Sequence, residues 1–156
     1  MTTRALALGL AIAAMGLTRC VARGPQDMSG DRSPGSHAKV GLLGGTSWAL
    51  LELHGTAVNL DSVKAQPFLE FSADGRLSGM AGCNGMFGVF EAGSEDLKFD
   101  GLGTTKMFCP TGMDTEGRLL EALDCTRRYS VIADTLLLQD AASARLAQLV
   151  SSKSAR

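Results

Sequence analysis

The stretch from Gly79 to Gly88 (GMAGCNGMFG) is the feature that most restricts the fold, because its many glycines are incompatible with an ordinary helix. Within it, the Asn84-Gly85 pair suits the positive φ angles of a tight hairpin turn. The chain has 19 glycines in 156 residues, a composition typical of short strands and tight turns and not of a helical bundle. The sequence therefore predicts one β-rich domain.

Alternating apolar residues predict a meander of some eight or more short strands. In the first of them, Trp48, Leu50 and Glu52 are expected on one face. In FLEFS, Phe68 and Glu70 are expected on the face opposite Leu69 and Phe71. The strand candidates are Thr46–Leu53, Val58–Leu60, Phe68–Ser72, Arg76–Ala81, Phe87–Glu91, Asp96–Phe99, Thr104–Met107, Tyr129–Ile132, Thr135–Gln139 and Arg145–Val150.

One segment, Met113–Arg127, has the apolar periodicity of a helix. Thr111 and Asp114 resemble a capping box at its start, and Gly117 inside it costs roughly 1 kcal/mol relative to alanine. Many antiparallel strands with one helix predict an α+β domain, barrel-like, whose helix covers an open side.

The N-terminus predicts export. Residues 1–22 combine Arg4 with an apolar run from Ala5 to Leu17, which is too short to span a membrane and fits a secretory signal peptide. Cys20 is a lipidation candidate, and cleavage before Arg23 is the alternative. We expect a protein of the periplasm or cell envelope, with an outer-membrane lipoprotein as one form, in which only the N-terminal lipid touches the membrane.

The rest of the chain divides by composition. Residues 23–39 are polar and rich in Gly, Pro and Ser, which predicts a flexible linker. Residues 40–150 form the predicted domain, and residues 151–156 are predicted to be a disordered tail.

Two paired signatures, GCN and T-x-M-x-C, stand out in the predicted domain. The motif residues are Trp48, Gly79, Gly82, Cys83, Asn84, Thr105, Met107 and Cys109. Their order closely resembles the META domain, the family of the heat-inducible envelope protein HslJ, from about Leu43 to Val150. The resemblance implies a cracked-barrel-like fold, an envelope location, links to heat shock and antibiotic tolerance, and no established enzymatic activity.

This chain departs from the family pattern at two places. Gly117 replaces a usual helix-forming residue, and Ala141-Ala142-Ser143 replaces the usual Asp-Gly turn. The second departure makes the register of the last hairpin uncertain.

Cys83 and Cys109 both follow predicted strands in an exported domain, so they are the candidate disulfide pair. Two buried free thiols are the alternative. Cys125 is predicted to be a small core residue, although it is also a rival partner for either of the other two.

Several chemistries find little support in the sequence. No basic region is concentrated enough to bind nucleic acid, and His54, Ser72 and Ser78 form no recognisable catalytic motif. We therefore expect no enzyme, no cofactor and no metal. A Cu(I)-responsive or thiol-redox protein is the alternative, because Met80, Met86, Met107 and Met113 lie close in sequence to Cys83 or Cys109.

The function expected from the sequence is that of a monomeric, non-enzymatic envelope accessory or binding module. Its partner would be an envelope protein or a small apolar ligand. Asn84 is expected to organise the loop beside Cys83 by bonding to backbone groups, and binding a ligand there is the alternative.

Overall fold

The computed structural model describes residues 40–152. The predicted signal peptide, the lipidation candidate Cys20 and the predicted linker lie outside the described residues, as do residues 153–156. In the described part of the chain, no helix is both long and apolar enough to cross a membrane.

Nine antiparallel strands and one α-helix make up the described region, together with a short 3-10 helix at Leu60–Ser62. The strands are β1 (Thr46–Leu53), β2 (Thr56–Ala57), β3 (Phe68–Phe71), β4 (Arg76–Met80), β5 (Gly85–Ala92), β6 (Leu97–Thr104), β7 (Arg128–Ile132), β8 (Thr135–Gln139) and β9 (Arg145–Ser151), and the helix is α1 (Met113–Cys125).

The strands form one sheet in the order β6-β5-β4-β3-β1-β9-β8-β7, with β2 paired to β1. The sheet curls until its two outer strands meet at one end. There Asp96 forms an antiparallel bridge with Arg128, and Leu97 N donates to Arg127 O at 3.0 Å. Beyond this point no pairing between β6 and β7 is present among the described residues. The predicted class, an α+β cracked barrel with one helix, is confirmed.

The inside of the curled sheet is filled by apolar side chains, onto which α1 packs Leu119 and Leu123. Phe71 lies at the centre of the sheet side of this core, edge-on to Phe90 with ring centroids 4.9 Å apart. Burial of these side chains is the main force that holds the helix to the sheet.

The first strand differs from the expected alternation. Trp48 and Leu50 are buried, but a bulge between Leu50 and Glu52 shifts the pairing with β9. Because one extra residue inverts the alternation, Leu53 points into the core and Glu52 does not. The prediction that Glu52 shares the buried face was wrong. The opposed faces predicted for Phe68–Phe71 are confirmed.

A similar bulge explains why one strand was predicted as two. Residues 97–104 form the single strand β6, in which Gly101 has φ +59° and the register against β5 shifts by one residue. The glycine is accommodated by the bulge and does not end the strand. Met107 therefore lies beyond β6, not within a strand.

Two other boundaries differ from the sequence prediction. The return strand is β2, the pair Thr56–Ala57, and the predicted strand at Val58–Leu60 gives way to the 3-10 helix. At the other end, β9 continues to Ser151, and Ser152 N donates to Ser47 O at 2.9 Å. The domain thus extends at least two residues past the predicted end.

The helix begins without the predicted capping box. Its N-cap is Gly112 in the left-handed region, and no side chain caps it. It ends at Cys125, two residues before the predicted end, and Thr126 Oγ1 donates to Ala122 O at 2.7 Å. Gly117 lies on the exposed side, where an added Cβ would meet open space.

Candidate functional site

The site is built on the side chain of Asn84, which is only 1% exposed. Its Oδ1 accepts from Thr105 Oγ1 at 2.9 Å and from Met107 N at 2.8 Å. Its Nδ2 donates to Met107 O at 3.0 Å. Because Met107 offers both an N–H and a C=O, these two bonds also fix which end of the amide carries the nitrogen. Asn84 thus holds both backbone groups of Met107, as a neighbouring strand would.

Glu116, from the first turn of α1, completes this arrangement. Its Oε2 accepts from Asn84 N at 2.9 Å, and its Oε1 accepts from Asn84 Nδ2 at 3.2 Å. Thr104 Oγ1 lies 3.4 Å from the same Oε1. We call Asn84, Thr104, Thr105 and Glu116 the polar cluster. A buried carboxylate is tolerated when its oxygens find donors in this way.

The disulfide between Cys83 and Cys109 lies beside the polar cluster. It joins residues 26 apart in sequence, with a Cα–Cα distance of 6.0 Å. Closing a loop of that size stabilises the folded state by about 3–4 kcal/mol in the chain-entropy description. The bond ties the segment after β6, residues 105–112, to the turn before β5.

Gly82 and Gly112 face each other next to this disulfide. Their φ angles are +111° and +92°, and a Cβ on Gly112 would lie 2.8 Å from Gly82 O. Glycine is therefore required by both conformation and space, at least at Gly112. The two backbones touch where the 105–112 segment enters the helix.

The 105–112 segment, held in this way, exposes two large apolar side chains. Phe108 is 84% exposed and Met107 is 47% exposed. Phe108 lies between Met107, whose backbone Asn84 binds, and Cys109, which the disulfide fixes. We call these two side chains the Met107–Phe108 surface. An exposed aromatic ring on a constrained backbone is the kind of group that anchors protein interfaces.

The rim of this surface carries positive charge. Lys106 precedes the pair and is exposed, and Lys64 Nζ lies 3.7 Å from Met107 Sδ. Lys64 is placed there by its loop, because Lys64 N donates to Gly82 O at 2.9 Å.

The motif residues do not all gather at this site. Gly82, Cys83, Asn84, Thr105, Met107 and Cys109 come together. Gly79 lies in β4, where a Cβ would be 2.1 Å from Phe68 O, so it is needed for close strand packing. Trp48 is buried in β1, and its Nε1 donates to Thr46 Oγ1 at 2.7 Å.

The residues considered for other chemistries are dispersed. Met86 is buried in the core and Met113 is exposed at the start of α1. Across residues 40–152, no group of three His, Cys, Asp or Glu side chains is arranged to hold a metal ion. The sulfurs of Cys83 and Cys109 are bonded to each other, so neither offers a thiolate for Cu(I) in this state. Cys125 lies in the core, as predicted.

The acids in turns serve local roles. Asp74 Oδ2 pairs with Arg76 Nη2 at 2.5 Å, and the hydrogen bonds from Arg76 lower the pKa of the Asp74 carboxyl. Glu95 Oε2 pairs with Arg128 Nη2 at 2.8 Å across the closed end of the barrel.

Sequence reasoning missed Glu116 and Phe108 as members of the site. Glu116 had no predicted role in the site, because nothing local shows that its partner lies 32 residues earlier. Phe108 was not singled out, although it lies between two predicted motif positions, Met107 and Cys109.

Comparison with known proteins agrees with this architecture. The META domain family matches residues 41–153. An NMR structure of a protein from Burkholderia xenovorans is 26% identical, with a TM-score of 0.59, and covers 83% of this chain and 97% of its own. Another NMR structure is 24% identical, with a TM-score of 0.55, over 69% of this chain and 90% of its own.

A more distant structural relative is the crystal structure of a DUF4847 family protein from Bacteroides vulgatus. It is 17% identical, with a TM-score of 0.53, and covers 70% of this chain and 94% of its own, so it supports the fold alone. No curated protein matches the sequence.

Proposed function

The chain belongs to the META domain family, and on that premise we propose that it is an exported, non-enzymatic envelope protein that binds a protein partner. The Met107–Phe108 surface is the observation that carries this proposal. It presents a large apolar area that the polar cluster and the disulfide hold in place before binding. A partner that buries Phe108 therefore loses little of its binding free energy to ordering this segment.

Export is supported by the sequence of residues 1–22 and by the disulfide, since such bonds persist in oxidising compartments. An accessory role in envelope stress or antibiotic tolerance follows from the HslJ-like resemblance. Absence of catalysis is supported by the chemistry of the site, where the side-chain amide of Asn84 and the carboxylate of Glu116 bond to protein groups and not toward solvent.

A protein partner is favoured over a small apolar ligand because the barrel interior is filled by core side chains. The second candidate surface is the outer face of β4 and β5, where Phe87 and Val89 are exposed beside a shallow depression of about 460 Å³. That depression has the size of a ligand site and makes a small molecule the alternative occupant there.

The thiol-redox or copper alternative is not favoured. It requires reduced, accessible sulfurs, whereas Cys83 and Cys109 are bonded to each other and buried.

Photocrosslinking in the envelope tests the binding proposal. A photoreactive phenylalanine analogue placed at Phe108 should give a discrete crosslinked product, and the same analogue at Phe87 serves as the matched control on the outer face. We expect Phe108→Ala to abolish the product trapped from a neighbouring position on the segment, such as Lys106, while Phe87→Ala leaves it unchanged. A product that depends on Phe87 and not on Phe108 would place the binding surface on the sheet instead.

Intact mass on protein from the native envelope, alkylated without reduction, tests export. The expected mature chain starts at Cys20 with a lipid, or at Arg23 without one, and has Cys83 and Cys109 protected from alkylation. A chain that retains residues 1–22 would contradict export.

A further inference from the structure

The two outer strands of the sheet are protected to different degrees. On β6, a bulge at Gly101 and the charged residues Lys98 and Asp100 disrupt the edge. On β7, the pairing with β8 is regular over all five residues, and the strand ends in Val131 and Ile132. Ile132 is 64% exposed. The end of β7 at Val131 and Ile132 therefore carries no charge, proline or bulge that would prevent another strand from pairing with it.

The direction of the free backbone groups on β7 follows from its pairings. Ile132 and Thr135 close the two-residue hairpin at Ala133-Asp134, so Ile132 and Ser130 bond to β8. Tyr129 and Val131 point the other way, and Tyr129 N donates to Glu95 O at 2.8 Å across the closed end. Within residues 40–152, no edge-facing backbone group of β7 beyond Tyr129 N, toward the hairpin, has a hydrogen-bond partner. Neither the C=O of Tyr129 nor either backbone group of Val131 has a partner among the described residues.

A groove of about 440 Å³ is lined in part by β7. Residues 128–131 of β7 line it together with Leu42, Ser94 and Glu95, and with Gln139 and Ser143 from the β8–β9 hairpin. Leu42 is 76% exposed and adds an apolar side chain to the lining, as Val131 does. The open part of β7 thus borders a groove that has two exposed apolar side chains.

We propose that this groove receives an extended segment of a partner polypeptide, which pairs with β7 and extends the sheet by one strand. The hydrogen-bond ladder that begins at Glu95 and Tyr129 would continue along the added segment through Val131. Backbone bonds of this type provide affinity, and alternate apolar side chains of the segment would contact Leu42 and Val131.

The short length of the open edge favours a slender segment over a second copy of this chain. Among the described residues, only three edge-facing backbone groups of β7 have no partner, and Leu42 and Glu95 line the same groove. A stable dimer needs a buried area of the order of 1,200 Å² or more, which a five-residue edge does not offer. A single extended chain needs only the width of one strand, about 5 Å.

The test uses the ¹⁵N-labelled protein purified from the envelope in its processed form and a capped heptapeptide of sequence KVTVTVK. We expect saturable amide shifts at Tyr129, Val131 and Leu42 when the peptide is added. The same peptide, N-methylated at alternate residues so that its edge-facing N–H groups are lost, should bind at least about tenfold more weakly. Equal affinity for the methylated peptide would overturn strand pairing.

Two variants at Val131 locate the site. Val131→Pro removes an N–H that points away from β8, so the β7–β8 bonds stay intact while the pairing donor is lost. Val131→Lys keeps the N–H but places a charge in the apolar part of the groove. This variant replaces the proline variant as the test if the proline variant does not fold. Each should reduce peptide affinity at least about tenfold.

Phe108→Ala is the control, because it removes the Met107–Phe108 surface and should leave peptide binding unchanged. The failure of this proposal is therefore distinguishable from the failure of the proposed function. Binding that survives both Val131 variants, shifts centred on Phe87 or Phe108, or no saturable shift up to about 1 mM peptide would overturn the proposal. A concentration-dependent dimer that Val131→Pro abolishes would overturn it in favour of a second copy.

Discussion

Two irregular segments of this protein are held by opposite means. The 105–112 segment is held by contacts from distant parts of the chain: the disulfide spans 26 residues, and the bonds from Asn84 span 21 to 23. The turn between β8 and β9 is held by its own first residue. Asp140 Oδ1 accepts from Ala142 N at 2.8 Å and from Ala144 N at 2.9 Å.

The comparison shows that local hydrogen bonds and long-range contacts stabilise different kinds of segment. A carboxylate that accepts from nearby backbone N–H groups forms a compact turn at small cost in chain entropy. It cannot present a large apolar side chain away from the domain in a fixed position. That requires long-range contacts at both ends, as Asn84 provides for Met107 and Cys83 provides for Cys109.

The largest expected effect comes from Asn84→Asp. This change places a carboxylate next to that of Glu116 and removes the donor to Met107 O, so we expect a loss of about 3–5 kcal/mol in the free energy of unfolding. Urea denaturation measures it. Adding Glu116→Gln should restore part of the loss, because the new amide can donate to the introduced carboxylate. An additive, larger loss in the double variant would show that the two side chains do not interact.

Removal of the disulfide is next in size. Cys83→Ser with Cys109→Ser should lower the free energy of unfolding by about 3–4 kcal/mol, the entropy of closing that loop. Hydrogen exchange should also rise in residues 105–112 while the amides of β8 stay protected. Unchanged exchange in the segment would mean that Asn84 alone is sufficient to hold it.

The smallest effect is expected in the β8–β9 turn. Asp140→Ala removes two side-chain hydrogen bonds in an exposed turn, and we expect a loss of about 1 kcal/mol by urea denaturation. Asp134→Ala in the neighbouring hairpin is the matched control, since the Asp134 side chain accepts no hydrogen bond within residues 40–152. If Asp140→Ala lowered the free energy of unfolding by more than removal of the disulfide does, the local contacts of the β8–β9 turn would contribute more stability than the long-range disulfide, contrary to this expectation.

The features that depend on local contacts could be predicted from the sequence, and those that depend on distant residues could not. The strands on either side of Asp74-Gly75, and those on either side of Ala133-Asp134, were predicted correctly because turn residues act over a few positions. The uncertain register of the last hairpin also has a local explanation. Asp140 and Ser143, which has φ +65°, form this turn in place of the usual Asp-Gly pair.

The errors involve residues whose environment is created by distant strands. Glu52 was expected on the face of Trp48 and Leu50 because a bulge at Leu51 cannot be seen in alternation alone. The capping box at Thr111 was expected from spacing, whereas the start of α1 is fixed by the contact of Gly112 with Gly82. Asn84 was correctly predicted to organise its loop, but its bonds to Glu116 required the fold.

The pairing of β1 with β9 has a consequence for how the chain acquires its structure. Strands β1 and β3–β6 form one meander and β7–β9 another, and in the described part of the chain the only extended pairing between the two is that of β1 with β9. Contacts between such distant residues slow folding, because the intervening chain must be ordered to form them. While the chain folds, β1 therefore keeps one edge without its partner strand until β9, at the far end of the domain, is in place.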